Sequence, residues 1–369
     1  MAAEENAEAQ RAERFLGGTG KLYKASLDHL MSFTAGEDFA REYIYSDAEI
    51  LAITPRMLLR WMNFRTFGTM IPGVDANPIS ARSSALQYWK KAISFFHPNR
   101  LMVWSDGRQE GNPTRSIEIN NLIKRVKKKE VRKQGVASQT RRAITEEEFR
   151  KLHIVFRAVS NSMLWRFGMT AMINFQFHVI ARIDDTTQLL IEHVRVHDSF
   201  AHCLKMKLNW SKNVSDERDA PWQIVLGAMD TTYCVLVSLA IWLEMNMRMN
   251  ANAAVSPYVF SFCNDVAVPS GGQKAKDIAQ SIFGQKVFKM EEFKNGATTV
   301  LLGSHSIRKY AATHARKCGC SKDEKDIRGR WKSKGRVSDV YDDVELPYPG
   351  AYVRFLLLVV ACKVLLTHS

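Results

Sequence analysis

The sequence predicts a mainly α-helical chain of two domains, with a small β-sheet confined to the second. Three observations predict it. Apolar residues recur at helical spacing over most of the chain, a basic stretch interrupts that periodicity after Val126, and two strand-like segments lie between Cys203 and Leu226. With 369 residues, the chain is long enough for two real cores. No internal repeat is present.

Residues 1–45 open on a polar, Ala/Glu-rich stretch and read as a poorly ordered leader. Thr54-Pro55 then supplies an N-cap and the residue best tolerated at the first helical position. Met57, Leu58, Trp61 and Phe64 follow at helical spacing. Gly68, Pro72, Gly73 and Pro78 mark a loop. Ser80–Phe96 reads as a second helix around Leu86, Trp89 and Ile93, and Ser116 begins a third through Ile119, Leu122, Ile123 and Val126. Residues 46–130 therefore read as a helical domain.

A basic, flexible connector follows, with residues 131–144 as the linker proper. Its cations are Lys124, Arg125, Lys127, Lys128, Lys129, Arg132, Lys133, Arg141 and Arg142. Each can neutralise a nucleic-acid phosphate and release a counterion. A nuclear import signal or a solvated helix end would have the same composition. Thr145 and Glu148 form a capping box ahead of Phe149, Leu152 and Phe156, so a second domain is placed at 145–369. It has apolar helices at Val155–Ile183 and Thr231–Met249. Between them, Cys203–Trp210 alternates as a strand, Ser211-Lys212-Asn213 supplies turn chemistry, and Pro221–Leu226 returns as a second strand. Ala351–Leu366 reads as a short, very apolar helix. Interrupted by Lys363, it falls short of the ~20 apolar residues a membrane span needs.

The net charge of +14 points to a polyanionic partner, nucleic acid before an anionic membrane. Six scattered cysteines without a CxxC pair imply free thiols and a reducing, intracellular compartment, the nucleus in a eukaryotic cell. His314, Cys318 and Cys320 have a spacing that matches no common zinc site, so no metal is expected. No GxxxxGK[ST] motif occurs, and neither ATP nor another cofactor is implied.

One ordered set of residues carries chemistry. Arg182 ends an apolar run and is followed at i+3 by Asp185. His305 and Arg308 stand one helical turn apart on one face. Trp331 sits in the basic segment Arg328-Gly-Arg-Trp-Lys, and Tyr341 lies ten residues further on. Singly, each has an ordinary structural role as a surface ion pair, a satisfied histidine or a packing aromatic. Together they supply what breaking a phosphodiester without metal requires. A phenolate can become a covalent ester, and planar, always-charged guanidiniums can hold the oxygens that gain charge. An imidazole and an indole N–H add donors, and a lysine can protonate the leaving oxygen.

The order Arg, hairpin Lys, His-x-x-Arg, Trp, Tyr resembles the catalytic signature of the tyrosine recombinases, over about residues 50–360 in domain plan. The resemblance implies a two-domain DNA clamp, with a helical core-binding domain and a mixed α/β catalytic domain. It implies Tyr341 as nucleophile, Arg182 and Arg308 on the phosphate, and His305 and Trp331 as further donors. Asp185 would orient Arg182 or His305. Lys212 at the hairpin turn would be the general acid, with Lys205 and Lys207 as alternatives. Many family members have a second His where this chain has Trp331, which together with the composition is similar to Crypton-like mobile-element recombinases. Arg330 and Lys332 join the connector cations as expected phosphate contacts. Further implications are a 3′-phosphotyrosyl intermediate, a four-way junction and a homotetramer organised by the C-terminal helix. Type IB topoisomerases resemble the same set, and a non-catalytic DNA-binding scaffold is a reading from a different class.

Overall fold

The computed structural model describes residues 12–138, 140–159, 162–200, 203–209, 220–249, 256–261, 287–290, 293 and 302–331. The chain divides into two compact units, Met1–Ser138 and Gln139–Ser369.

The first unit is helical: α1 (Gly18–Ala35), α2 (Asp47–Leu51), α3 (Pro55–Phe67), α4 (Ser83–Phe96) and α5 (Ile117–Val131). The expected caps form. Thr54 accepts from the Met57 amide at 3.3 Å with Pro55 at the first position, and Ser116 accepts from the Ile119 amide at 3.4 Å. Leu27, Leu58, Trp61, Leu86, Ile93, Phe96, Ile119 and Val126 bury their side chains in one core.

Two features differ from the sequence reading. Residues 18–35, read as polar leader, form α1, whose sparse apolar residues Leu27 and Leu30 are fully buried. Its order comes from distant partners that composition does not reveal, including a Tyr88 hydroxyl donating to the Leu22 carbonyl at 2.8 Å. The cations Lys124, Arg125, Lys127, Lys128 and Lys129 lie on α5 rather than in a flexible connector, because the apolar stripe ending at Val126 carries the helix through them. Glu130 of α5 also accepts from Ser83 at the start of α4, its hydroxyl at 2.9 Å, which starts that helix at 83 instead of 80.

The second unit contains α6 (Glu146–Val159), α7 (Met163–His178), α8 (Ile183–Thr187), a sheet, α9 (Val235–Met249), α10 (Ser304–Lys317) and α11 (Lys322–Gly329). The capping box opens α6, with the Glu148 carboxylate accepting from the Thr145 amide at 2.8 Å and Thr145 accepting from the Glu148 amide at 3.1 Å. The sheet has antiparallel order β1 (Val194–Val196), β2 (Cys203–Met206), β3 (Gln223–Leu226), with Lys205 opposite Arg195 and Ile224. β2 and β3 are the expected hairpin strands. β1, Val-Arg-Val, is too short for its alternation to announce it, and two of its three residues are exposed.

Helix α7 is the centre of this unit and packs on α6, α9 and α10. Its inward residues Ala171, Met172 and Phe175 join Leu239, Trp242 and Phe260 in one core, while Phe149, Ile173 and Ile307 join another. The single helix expected over Val155–Ile183 is divided: α6 ends at Val159, α7 begins with a cap from Ser162, and α7 ends at His178. No described helix is long and apolar enough to cross a membrane.

Candidate active site

The end of α7 sets the site. Ile180 takes a left-handed conformation, φ 47°, a position that normally favours glycine and costs a β-branched residue roughly 1–2 kcal/mol. The Ala181 amide reaches back to the Gln176 carbonyl at 3.0 Å, so the chain turns sharply out of the helix. Ile180 is offset by burial against Ala311, Ala312 and Trp331. The turn delivers Arg182 to the N-cap of α8, where its backbone N–H donates to Asp185 Oδ2 at 3.3 Å.

Asp185 is the hub. Its Oδ2 accepts from Arg330 Nη2 at 2.9 Å and lies 3.6 Å from Arg308 Nη1 and 3.9 Å from Arg182 Nη1. The Asp185 and Arg308 side chains are 1% and 0% exposed, Arg330 2% and Arg182 16%. Three guanidiniums thus converge on one carboxylate where water screens little. Arg182 retains the most access to solvent.

Helix α10 supplies the second wall. Arg308 is held from two sides: its Nη2 donates to the Gly329 carbonyl at 2.6 Å, and its guanidinium lies 4.7 Å from the centre of the Trp331 ring. Gln176 of α7 fixes the start of α10 by donating to the Ser304 carbonyl at 3.0 Å. One turn before Arg308, His305 is exposed at the mouth of the cluster. The surrounding protein pushes its imidazole below the ordinary value, and the neighbouring Arg308 and Arg182 cations push the same way, against Asp184 and Asp185. His305 is therefore favoured as the neutral ring, able to accept or donate a proton. In the cluster as a whole, Arg182, Arg308 and Arg330 stand against Asp184 and Asp185, and the group best suited to such a place is a further anion.

Helix α11 brings the third segment. It ends at Arg330, again left-handed at φ 53°, and Trp331 follows with its amide donating to the Asp326 carbonyl at 2.9 Å. Arg328 ties this end to its surroundings, donating to the His178 carbonyl at 2.9 Å and the Ile224 carbonyl at 2.7 Å. Gln223 of β3 answers by donating to the Arg328 carbonyl at 3.0 Å.

The structure brings Arg182, Asp185, His305, Arg308 and Trp331 together. Tyr341, Lys212 and Lys332 lie outside the described residues. Lys205 forms an ion pair with Asp198 and stands 5.8 Å from the Trp222 ring, while Lys207, just beyond β2, is buried. Arg330, expected as a phosphate contact, has its guanidinium bonded to Asp185 at 2.9 Å. Arg142 is likewise engaged, by the Glu148 carboxylate at 2.7 Å, which leaves it only partly exposed. Lys124, Lys127, Lys128, Arg132, Lys133 and Arg141 are exposed.

In the first unit the sequence reading named Arg125 and passed over its neighbours. A cleft of about 580 Å³ between α3 and α5 is lined by Arg56, Arg60, Asn63, Glu118, Asn121 and Arg125. Guanidinium and amide side chains are the groups that read base edges bidentately. Arg56 and Arg60, one turn apart on α3, were the available signal, hidden by the apolar positions between them.

No protein-family model matches the sequence, and no curated protein matches it. Solved structures are similar. One is the XerH site-specific recombinase bound to palindromic difH substrate, a post-cleavage complex, with a TM-score of 0.51 and 10% identity over 93% of this chain and 78% of that one. The XerA recombinase aligns over 97% of this chain and 95% of its own at 15% identity, with a TM-score of 0.38. A lambda integrase dimer bound to a COC′ core site aligns over 91% and 76% at 12% identity, with a TM-score of 0.42. The XerH likeness shows a shared fold.

Proposed function

We propose that this chain, whose fold is that of the tyrosine recombinases, cleaves and rejoins DNA strands through a covalent 3′-phosphotyrosyl intermediate on Tyr341. The observation that carries the reading is the convergence of Arg182, Arg308 and His305 around buried Asp185. A scissile phosphodiester supplies the anion that such a group of cations favours, and it gains charge in its pentavalent transition state.

In this reading the Tyr341 hydroxyl attacks phosphorus, the bond to the 5′ oxygen breaks, and the DNA 3′ end becomes an ester of the tyrosine. Arg182 and Arg308 hold the non-bridging oxygens, and His305 takes the phenol proton or donates to the same oxygens. A lysine of the β2–β3 hairpin protonates the leaving 5′ oxygen. Attack by a different 5′ hydroxyl reverses these steps and frees Tyr341. No ATP is consumed, because the ester conserves the bond energy. Two such exchanges through a four-way junction, by four copies on paired sites, would recombine two duplexes. The exposed cations of α5 and the Arg56–Arg60 cleft would bind the duplex, consistent with the net charge of +14.

The test is covalent trapping. DNA recovered from a random pool by binding to the protein is nicked to make a suicide substrate. It is then mixed with wild type or Tyr341→Phe in EDTA and run on a denaturing gel. An adduct with wild type alone is expected. Binding without an adduct from either protein would leave a DNA-binding scaffold and remove the enzyme.

A further inference from the structure

Arg330 occupies a position that disfavours any side chain, yet its side chain is buried. At φ 53° it stands in the left-handed region, closing α11, where glycine would be free of steric cost. Its guanidinium is also taken almost wholly out of water, which works against its charge. What it meets there is Asp185, at 2.9 Å, the shortest of that carboxylate's three side-chain contacts with guanidiniums.

We infer that Arg330 is a positioning residue that occupies the Asp185 carboxylate, so that Arg182 and Arg308 keep their charge for the substrate phosphate. The inference rests on the proposed recombinase reading for its catalytic part. Asp185 is needed to organise the turn, since it accepts the Arg182 amide and sets the start of α8. The same carboxylate is a competitor for the phosphate. It lies within 4 Å of both Arg308 and Arg182, and a guanidinium that closes on it is withdrawn from the substrate. Arg330 resolves the conflict by making the direct contact itself. Its backbone is fixed by the turn that also places Trp331, so this counter-charge is built into the segment that holds Arg308.

The experiment compares wild type, Arg330→Gln, Arg330→Lys, Asp185→Asn and the Arg330→Gln/Asp185→Asn double variant. Two quantities are read on the selected DNA: equilibrium affinity, and the single-turnover rate of adduct formation at saturating protein. Arg330→Gln is expected to bind within about twofold of wild type and to cleave roughly tenfold or more slowly, the scale on which supporting residues act. Arg330→Lys keeps the charge and is expected to retain most of the rate. Removing the Asp185 charge in the Arg330→Gln background is expected to recover most of what was lost, which an arginine with a purely structural role would not allow. A double variant no faster than Arg330→Gln overturns the inference, as does wild-type rate in Arg330→Gln. The same five proteins are unfolded in urea. The Asp185→Asn change should restore the midpoint lowered by Arg330→Gln. If wild type gives no adduct, the recombinase reading fails, and the urea series still decides whether Arg330 holds Asp185. Additive midpoint losses would show that it does not.

Discussion

The Arg308 guanidinium lies 4.7 Å from the centre of the Trp331 ring while its Nη2 donates to the Gly329 carbonyl at 2.6 Å. A buried cation is thereby fixed on its face by Trp331 and at its edge by Gly329, both at the end of α11. Loss of the ring would release one of those constraints and open a cavity beside Ile180, Ala311 and Ala312.

Trp331→Ala is therefore expected to destabilise the second unit by about 3–5 kcal/mol, read from urea unfolding, and to slow adduct formation. Trp331→Phe keeps a ring face under Arg308 and is expected to lose less than half as much. Equal losses from the two variants would remove the role assigned to the ring.

Gly329→Ala tests the same packing from the other side. A Cβ at residue 329 would fall 2.3 Å from the Trp331 ring, which is buried and has nowhere to retreat. A cost of about 1–3 kcal/mol is expected, with cleavage slowed as the ring leaves Arg308. Unchanged unfolding and unchanged cleavage together would show that the ring moves freely.

Acid sensitivity follows from two histidines held in the neutral form, His153 buried and His178 half-buried. His178, whose Nε2–H donates to the Tyr233 carbonyl at 2.7 Å, is pulled down to about 4 by burial, with the Arg328 and His314 charges adding to that and the Tyr233 bond opposing it. His153 is pulled to about 4 by burial and by Arg157 and Arg150, against Asp230. Both have folded values below the ordinary 6.5, so the unfolded chain binds more protons as pH falls. Their stabilisation is complete above about pH 6.5 and is lost progressively toward pH 4. Melting temperature measured across that window should fall, and the fall should be smaller in His178→Gln. A flat profile would contradict the burial of these rings as neutral groups.

The general acid can be assigned with DNA carrying sulfur in place of the bridging 5′ oxygen, because a thiolate leaves without being protonated. Of the three hairpin lysines, rescue of a slowed variant is expected at Lys212, in the turn that the sequence places between the strands, rather than at buried Lys207. It is not expected at Lys205, whose ammonium is engaged by Asp198 beside Trp222. Rescue confined to Lys205→Ala would reverse that assignment.

Much of this protein was legible along the chain because the signals are local. The caps at Thr54, Ser116 and Thr145 depend on residues three apart, and His305 and Arg308 share a helix face by spacing alone. The hairpin strands β2 and β3 were visible as alternation. The ordered set of Arg182, Asp185, His305, Arg308 and Trp331 could be picked out because phosphoryl transfer calls for those residue types. The leader was misjudged because α1 owes its order to Tyr88 and a shared core, not to its own composition.

By itself the sequence determined the helical elements, the basic balance and the chemistry a site could draw on. Only the tertiary structure decided which charges meet. Arg330 reads as one more cation in a basic run, and its partner Asp185 is 145 residues away. Ile180 reads as helix, yet the burial that offsets its left-handed turn comes from α10 and from Trp331. Spacing along a chain reports contacts one helical turn apart. The pairing of Asp185 with Arg330, and the burial that makes that pairing matter, depend on how α7, α10 and α11 pack.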